Sequence, residues 1–308
     1  MAETSAALER ARHEIDRIDD ALHSLLMERV ELVSAIASAK TAKDADQTRV
    51  ALRPAREAQV LRRLLAQHAG VLPFDVVVRI WREMMAAFTR LQGPFSVVVS
   101  GGTEPLAYWD LARFYYGATT PMSLVNSAQA AVQMVGQGTG VVAIVPVGGD
   151  DAGAPWWVHL GEGADQPRVL ARLPLVQGSD VTRDHPQAYT VAIAPLEPSG
   201  DDLSLVAVTT AGDVTRARVV TTLEGAGFAA RTLELAEEAG GDEHIHLVEV
   251  DGFFASGADP RLAALKPRPR GLVRDIRVVG TFARSLGPVD GGDVTAAAGA
   301  AGAREDKR

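Results

Sequence analysis

The amino-acid sequence predicts a multidomain chain: an N-terminal all-α unit of three helices, then a small α/β unit, then an α+β unit of ferredoxin-like order. Three observations predict it. Apolar residues recur at three- and four-residue steps from the start of the chain to about residue 92, which is helical spacing. From residue 95, short valine- and isoleucine-rich runs alternate with amphipathic stretches, as strands alternate with helices. Beyond about residue 202 the alternation takes the order β-α-β-β-α-β. The expected units are 1–93, 94–196 and 202–286, joined by the linker LEPSGDD, with a small polar tail at 287–308 read as disordered.

The 308 residues are enough for two or three well-formed cores. Net charge is -8, which argues against nucleic-acid binding, but it is unevenly divided. Residues 1–92 hold 14 basic and 13 acidic side chains, and the remainder holds 17 and 26, so the helical unit is near neutral and the rest acidic. The absence of cysteine excludes disulfides, thiolate metal sites and a thiol nucleophile. MAETSAALER lacks the basic and apolar regions of a signal peptide, and no apolar run approaches a membrane span; the expectation is a cytoplasmic protein with no membrane contact.

The first helix is expected from about 6 to 41, nearly ten turns or ~54 Å. Ile15, Ile18, Leu22, Leu25, Leu26, Leu32, Val33 and Ile36 form one stripe on it, at roughly 100° per residue. Arg29 and Lys40 lie inside that stripe, and Arg12 sits on its shoulder. Unpaired cations on an apolar face are costly, so together they predict a pocket for a small dianion. The alternative is that each lays its stem along apolar surface with its head in water.

Residues 42–50 read as a loop, and a second helix follows from about 53 to 68, with Pro54 in its first turn and Arg53, Arg56 and Glu57 beside it. Glu57 has a second explanation as an acid favoured by the helix dipole, and Arg53 and Arg56 have one as a solvated face. A third helix is expected over 74–92, with Val77, Ile80, Trp81, Met84, Phe88 and Leu91 on its buried side and Gln92 continuing it. Three helices of such unequal length leave much of the longest uncovered, which predicts a homodimer with intertwined first helices.

In IDRIDDALHSLLMERVELVSAIASAK, PAREAQVLRRL and IWREMMAAFTRLQ, charges and apolar positions agree in spacing with the helical class of chorismate mutases, which the first 92 residues resemble. The resemblance implies chorismate as substrate, no cofactor, no metal, and a site shared between two protomers. It implies that Arg29 grips a substrate carboxylate and Arg12 reaches the partner's pocket. Lys40 and Gln92 would face the ether oxygen, and Glu57 the hydroxyl, with Arg56 beside it. Arg53 stands where many members carry aspartate, and Phe88 where some carry serine; both are expected to border the substrate.

In the second unit FSVVVS, GVVAIVPV, RVLARLPLV and YTVAIAPL read as strands, and AYWDLARFYYG and SAQAAVQMVGQG as helices. The unit resembles part of prephenate dehydratase, but AYTVAIAP stands where that family carries Thr-Arg-Phe, which argues against the dehydratase reaction. Gly101-Gly102 reads as a tight turn or an anion cradle, and GQGTG precedes its strand and so fails the context of a dinucleotide motif. The third unit resembles an ACT regulatory domain, which implies an aromatic amino-acid effector. His244 and His246 share a strand face, but two histidines without a third ligand are expected to be structural. No HExxH, GxSxG or Walker sequence occurs.

The reading is therefore an isomerase of aromatic amino-acid biosynthesis that rearranges chorismate to prephenate. The alternatives are an enzyme carrying both mutase and prephenate dehydratase activities, and a non-catalytic aromatic amino-acid sensor.

Overall fold

A computed structural model of the chain describes residues 2–41, 50–148, 155–163, 165–177, 186–237, 242–265 and 272–286, with side chains described from 4 to 38 in the first of these. The expected loop at 42–50, apart from Val50, and the expected disordered tail lie outside them.

The N-terminal unit has three helices, α1 (Ala2–Thr41), α2 (Pro54–Gln67) and α3 (Phe74–Gln92). Pro54 opens α2, where its missing N–H costs little, and Pro73 precedes α3. α1 is a projecting arm. The stripe read from sequence as a buried face is exposed in the single chain, with Leu25 at 60% and Leu32 at 61%. The reason is geometric: a 40-residue helix outruns its 14- and 19-residue neighbours.

Within α3 the two sides exchange roles. Val78, Arg82, Met85, Ala86 and Thr89 are buried, at four-, three-, one- and three-residue steps, and that side faces the next unit. Ile80 and Leu91, expected in the core, are exposed at 52% and 62%. Phe88 is buried as expected.

Beyond α3 come β1 (Ser96–Ser100), α4 (Pro105–Tyr116), β2 (Met122–Val125), α5 (Ala128–Gln137), β3 (Val141–Pro146), β4 (Arg168–Leu173) and β5 (Ala188–Ala192). The expected strands and helices are all present; β2 and a 3-10 turn at Trp156–His159 are additional. Then follow β6 (Asp202–Ala211), α6 (Arg216–Gly225), β7 (Ala230–Glu237), β8 (Glu243–Asp251), α7 (Pro260–Ala263) and β9 (Val273–Ala283).

The nine strands of the described residues form one sheet, in the order β2-β1-β3-β5-β4-β9-β6-β8-β7. Its last four strands, β9-β6-β8-β7, are antiparallel and give the ferredoxin-like order expected from residue 202 onward. β1 pairs in parallel with β2 and β3, with α4 and α5 as the crossovers. The two α/β segments meet where β4 runs parallel to β9 at Val169 and Gly280. A Cβ on Gly280 would stand 2.4 Å from that of Val169 and 2.5 Å from its carbonyl oxygen, so only glycine allows this approach. The strands read as nearly continuous apolar runs because helices cover both faces of the sheet. Gly101 stands in a turn closed by Glu104 N–H to its carbonyl at 2.8 Å, the simpler of its two readings.

The expected linker is tied to the helical unit. Arg62 of α2 donates to the carbonyls of Ser199, Asp201 and Arg284 at 3.0, 2.9 and 3.3 Å, and Gln59 donates to that of Pro198 at 3.1 Å.

His244 and His246 of β8 lie with ring centroids 6.1 Å apart, and no cluster of three metal-ligating side chains occurs among the described residues. His246 is inaccessible to solvent, and its Nε2 meets the Thr210 hydroxyl at 3.2 Å. Burial first, then nearby His244 and Arg216, pushes its pKa down to about 4. An unfolded histidine takes its proton near pH 6.5, so between 6.5 and 4 the unfolded chain binds a proton that the folded chain refuses. Stability present above pH 6.5 is thus lost as pH falls. Urea unfolding at pH 7 and pH 4.5 should show about 2 kcal/mol more loss in wild type than in His246→Gln; equal losses would exclude His246 as the source.

Candidate active site

A cavity of about 690 Å³ opens between the C-terminal half of α1, the start of α2 and the outer side of α3. That volume lies within the ~300–1,000 Å³ of small-molecule sites. Its wall is mostly apolar, with Leu22, Leu25, Leu26, Val33 and Ile36 from α1 and Ile80, Trp81 and Met84 from α3. Ile80, Trp81, Met84 and Phe88, four of the six α3 side chains expected on the buried side, are therefore cavity wall, while Val77 packs against the core and Leu91 is exposed.

Charge in the wall is one-sided. Arg29, Arg53, Arg56 and Arg63 line it against a single carboxylate, Glu57, within a chain whose net charge is -8. A positive, apolar cavity in an acidic protein selects small anions.

Arg29 stands with its guanidinium 4.9 Å above the Phe88 ring centroid. Its Nη1 is buried and has no hydrogen-bond partner among the described residues, and burial lowers its pKa. Phe88 thus provides a flat platform for a cation facing the cavity. Arg53 forks onto Glu197, with Nη2 to Oε1 at 2.8 Å and Nε to both oxygens at 3.1 and 3.0 Å. Arg56 Nη1 donates to Gln59 Oε1 at 3.2 Å. The Gln92 amide lines the cavity and donates to the Phe88 carbonyl at 3.1 Å.

The structure thus brings Arg29, Arg53, Arg56, Glu57, Phe88 and Gln92 around one cavity. Arg12 lies away from it, exposed, and pairs with Glu9 at 2.8 Å. The Lys40 side chain lies outside the described residues. Arg63 and Arg82 are the residues that sequence reading missed. Arg82, only 5% exposed, pairs with Glu57 from beneath, and its guanidinium stands 4.8 Å above the ring of Tyr115 in α4. The signal was present: Arg82 is the charged member of the Val78–Arg82–Met85–Thr89 stripe.

Residues 11–93 match the family model for chorismate mutase type II. The N-terminal unit is a chorismate mutase type II domain. The curated relatives are bifunctional chorismate mutase/prephenate dehydratases. That of Pseudomonas aeruginosa is 28% identical over 150 residues, 48% of this chain and 40% of the relative. That of Stutzerimonas stutzeri is 32% identical over 95 residues, 30% of this chain and 26% of the relative. That of Neisseria gonorrhoeae is 34% identical over 90 residues, 29% and 23% of the two chains. The chain thus spans less than half the length of these relatives. Among solved structures, the quorum-quenching acylase GqqA has a TM-score of 0.44 at 16% identity, covering 61% of this chain and 95% of its own. Prephenate dehydratase from Streptococcus mutans has 0.40 at 10%, covering 62% and 99%. Prephenate dehydratase from Arthrobacter aurescens, in complex with L-Phe, has 0.42 at 15%, covering 62% and 90%.

Two charged side chains of the cavity wall, Glu57 and Arg29, differ in what their removal does to the fold. Glu57→Ala leaves Arg82 buried and unpaired and should destabilise by about 3 kcal/mol or more in urea unfolding. Arg29→Met removes a partly desolvated cation with no partner for Nη1 among the described residues and should leave the unliganded protein as stable or more so. The reverse order would refute this electrostatic account.

Proposed function

We propose that the mutase domain rearranges chorismate to prephenate in this cavity. The observation that carries the reading is Arg29, whose buried guanidinium nitrogen Nη1 has no partner among the described residues, in an apolar wall of a domain of this family. Such a cation waits for an anion, and a substrate carboxylate supplies one with bidentate geometry.

The rearrangement is pericyclic and needs no nucleophile, metal or cofactor. The site's work is to hold an extended dianion folded into a chair-like conformer and to meet the negative charge that grows on the ether oxygen. Arg29 clamps one carboxylate against the Phe88 platform. Gln92, released from the Phe88 carbonyl, and Lys40 face the ether oxygen. Glu57 accepts the substrate hydroxyl, and Arg56 and Arg53 border it. The apolar wall excludes water and strengthens each of these contacts.

A second copy of the chain completes the site. The uncovered apolar stripe of α1 supports this, because a face of that kind is expected to be covered in solution. A pair of antiparallel first helices carries Arg12 to the partner's cavity.

The bifunctional reading has the better support from the relatives. A match of 150 residues cannot fit within the 93 of the helical unit, so it extends into the sheet, and all three curated relatives carry both activities in their names. On that reading the α/β region consumes the prephenate that the helical domain makes, and its ferredoxin-like part takes an aromatic amino acid as effector.

One experiment tests both. Purified protein is incubated with chorismate, its absorbance is followed, and the products are separated by chromatography with and without phenylalanine. Loss of chorismate, reduced roughly 100- to 1,000-fold by Arg29→Ala, is expected for the mutase. Phenylpyruvate establishes the second activity and prephenate alone removes it; unchanged chorismate overturns both readings.

A further inference from the structure

We infer that Arg82 is a positioning residue for the mutase site, holding the Glu57 carboxylate so that one oxygen is presented to the cavity. The inference rests on the reading of that cavity as a chorismate site.

Glu57 stands in the first turn of α2, a helix with no side-chain N-cap, where a free carboxylate would turn toward the exposed backbone N–H groups. It does not do so. Arg82 Nη1 takes Oε2, while Oε1 has no hydrogen-bond partner among the described residues, and Glu57 lines the cavity. The neighbouring cations do not compete for that oxygen, since Arg53 is committed to Glu197 and Arg56 to Gln59.

Arg82 is itself fixed from the other side. Its guanidinium lies over the Tyr115 ring, and Tyr115 is 1% exposed, its hydroxyl oxygen accepting from Leu175 N–H at 2.6 Å. The Arg82 Nε is buried without a partner among the described residues. A buried pair of this kind is a poor source of stability, because apolar side chains of similar volume serve as well or better. Val78 and Met85 occupy the adjacent buried positions of the same helix face. What an apolar residue at 82 would not do is fix one carboxylate oxygen and leave the other available for a hydroxyl donor.

The test is steady-state chorismate kinetics on the full chain for wild type, Arg82→Lys, Arg82→Met, Glu57→Gln and Glu57→Gln/Arg82→Met. The positioning role predicts that Arg82→Met raises KM by about tenfold with kcat much less affected, as for a lost contact to bound substrate. Arg82→Lys, which keeps the charge and one donor, should stay within about threefold of wild type, and adding Arg82→Met to Glu57→Gln should cost less than about twofold more. A merely structural Arg82 would lower the folded fraction and hence apparent kcat, leave KM unchanged, and multiply its loss with that of Glu57→Gln. If Arg82→Met does not fold, Arg82→Lys and the double variant, which removes both charges, carry the same comparison. An active wild type with multiplying losses or an unchanged KM overturns the role of Arg82 alone. An inactive wild type overturns the mutase reading and this inference with it.

Discussion

The seam between α3 and α4 is the constraint on which the rest of the molecule depends. α3 presents one side to the cavity and the other to α4, so it is held between the two. The buried side carries Arg82, which joins Glu57 on α2 to Tyr115 on α4. Glu83 reinforces the seam by accepting from Ala118 N–H at 3.1 and 3.0 Å, and Arg90 by donating to the Thr119 carbonyl at 2.8 Å. α2 is fixed independently through Arg62 and Arg53, which hold the segment before β6. The cavity is thus set by helices whose backs are bound to the α/β region, and its geometry follows from that region as much as from the helices themselves.

Electrostatics divides the cavity's charges into two groups. Glu57 and Arg53 have protein partners, so their energies are largely settled before any ligand arrives. Arg29 Nη1 has none among the described residues, and its desolvation is a cost carried by the unliganded fold. A site built to meet a transition-state anion needs charge of the second group, because an arginine already paired must give up its partner before it gains from the substrate. Fixed partners confer geometry, and missing ones confer affinity. Arg82 belongs wholly to the first group and Arg29 to the second, although periodicity places both on apolar helix faces.

Much of this fold was legible in the sequence because its periods are clean. The second and third helices were placed to within a residue or two, and the order of the last six elements follows from alternation alone. Two features were not legible. α3 carries two overlapping stripes, and the more apolar one, Ile80–Trp81–Met84–Phe88, lines a cavity, while the one interrupted by Arg82 and Thr89 is buried. Hydrophobicity ranked the faces in the wrong order because a ligand cavity needs apolar walls as a core does. The continuity of the sheet was also hidden: the contact that joins its halves, Val169 with Gly280, lies across more than a hundred residues and depends on the absence of one Cβ. Six of the eight site residues meet around one cavity; periodicity, which gives a side chain's face but not its reach, could not have said so.

The same clean period on α1 has a different outcome, because a helix of 40 residues cannot be covered by partners of 14 and 19. Its C-terminal half closes the cavity, and its N-terminal half is exposed among the described residues. Those halves carry different chemistry: Arg29 sits where α1 meets α3, and Arg12 sits on the uncovered arm about 25 Å away along the axis, beyond the reach of any side chain in the same cavity. If both serve one kind of site, the two must come from different copies of the chain. The length that leaves α1 exposed is then the same property that lets one helix contribute to two cavities, and the apolar stripe between its two arginines is the surface on which such copies would pair.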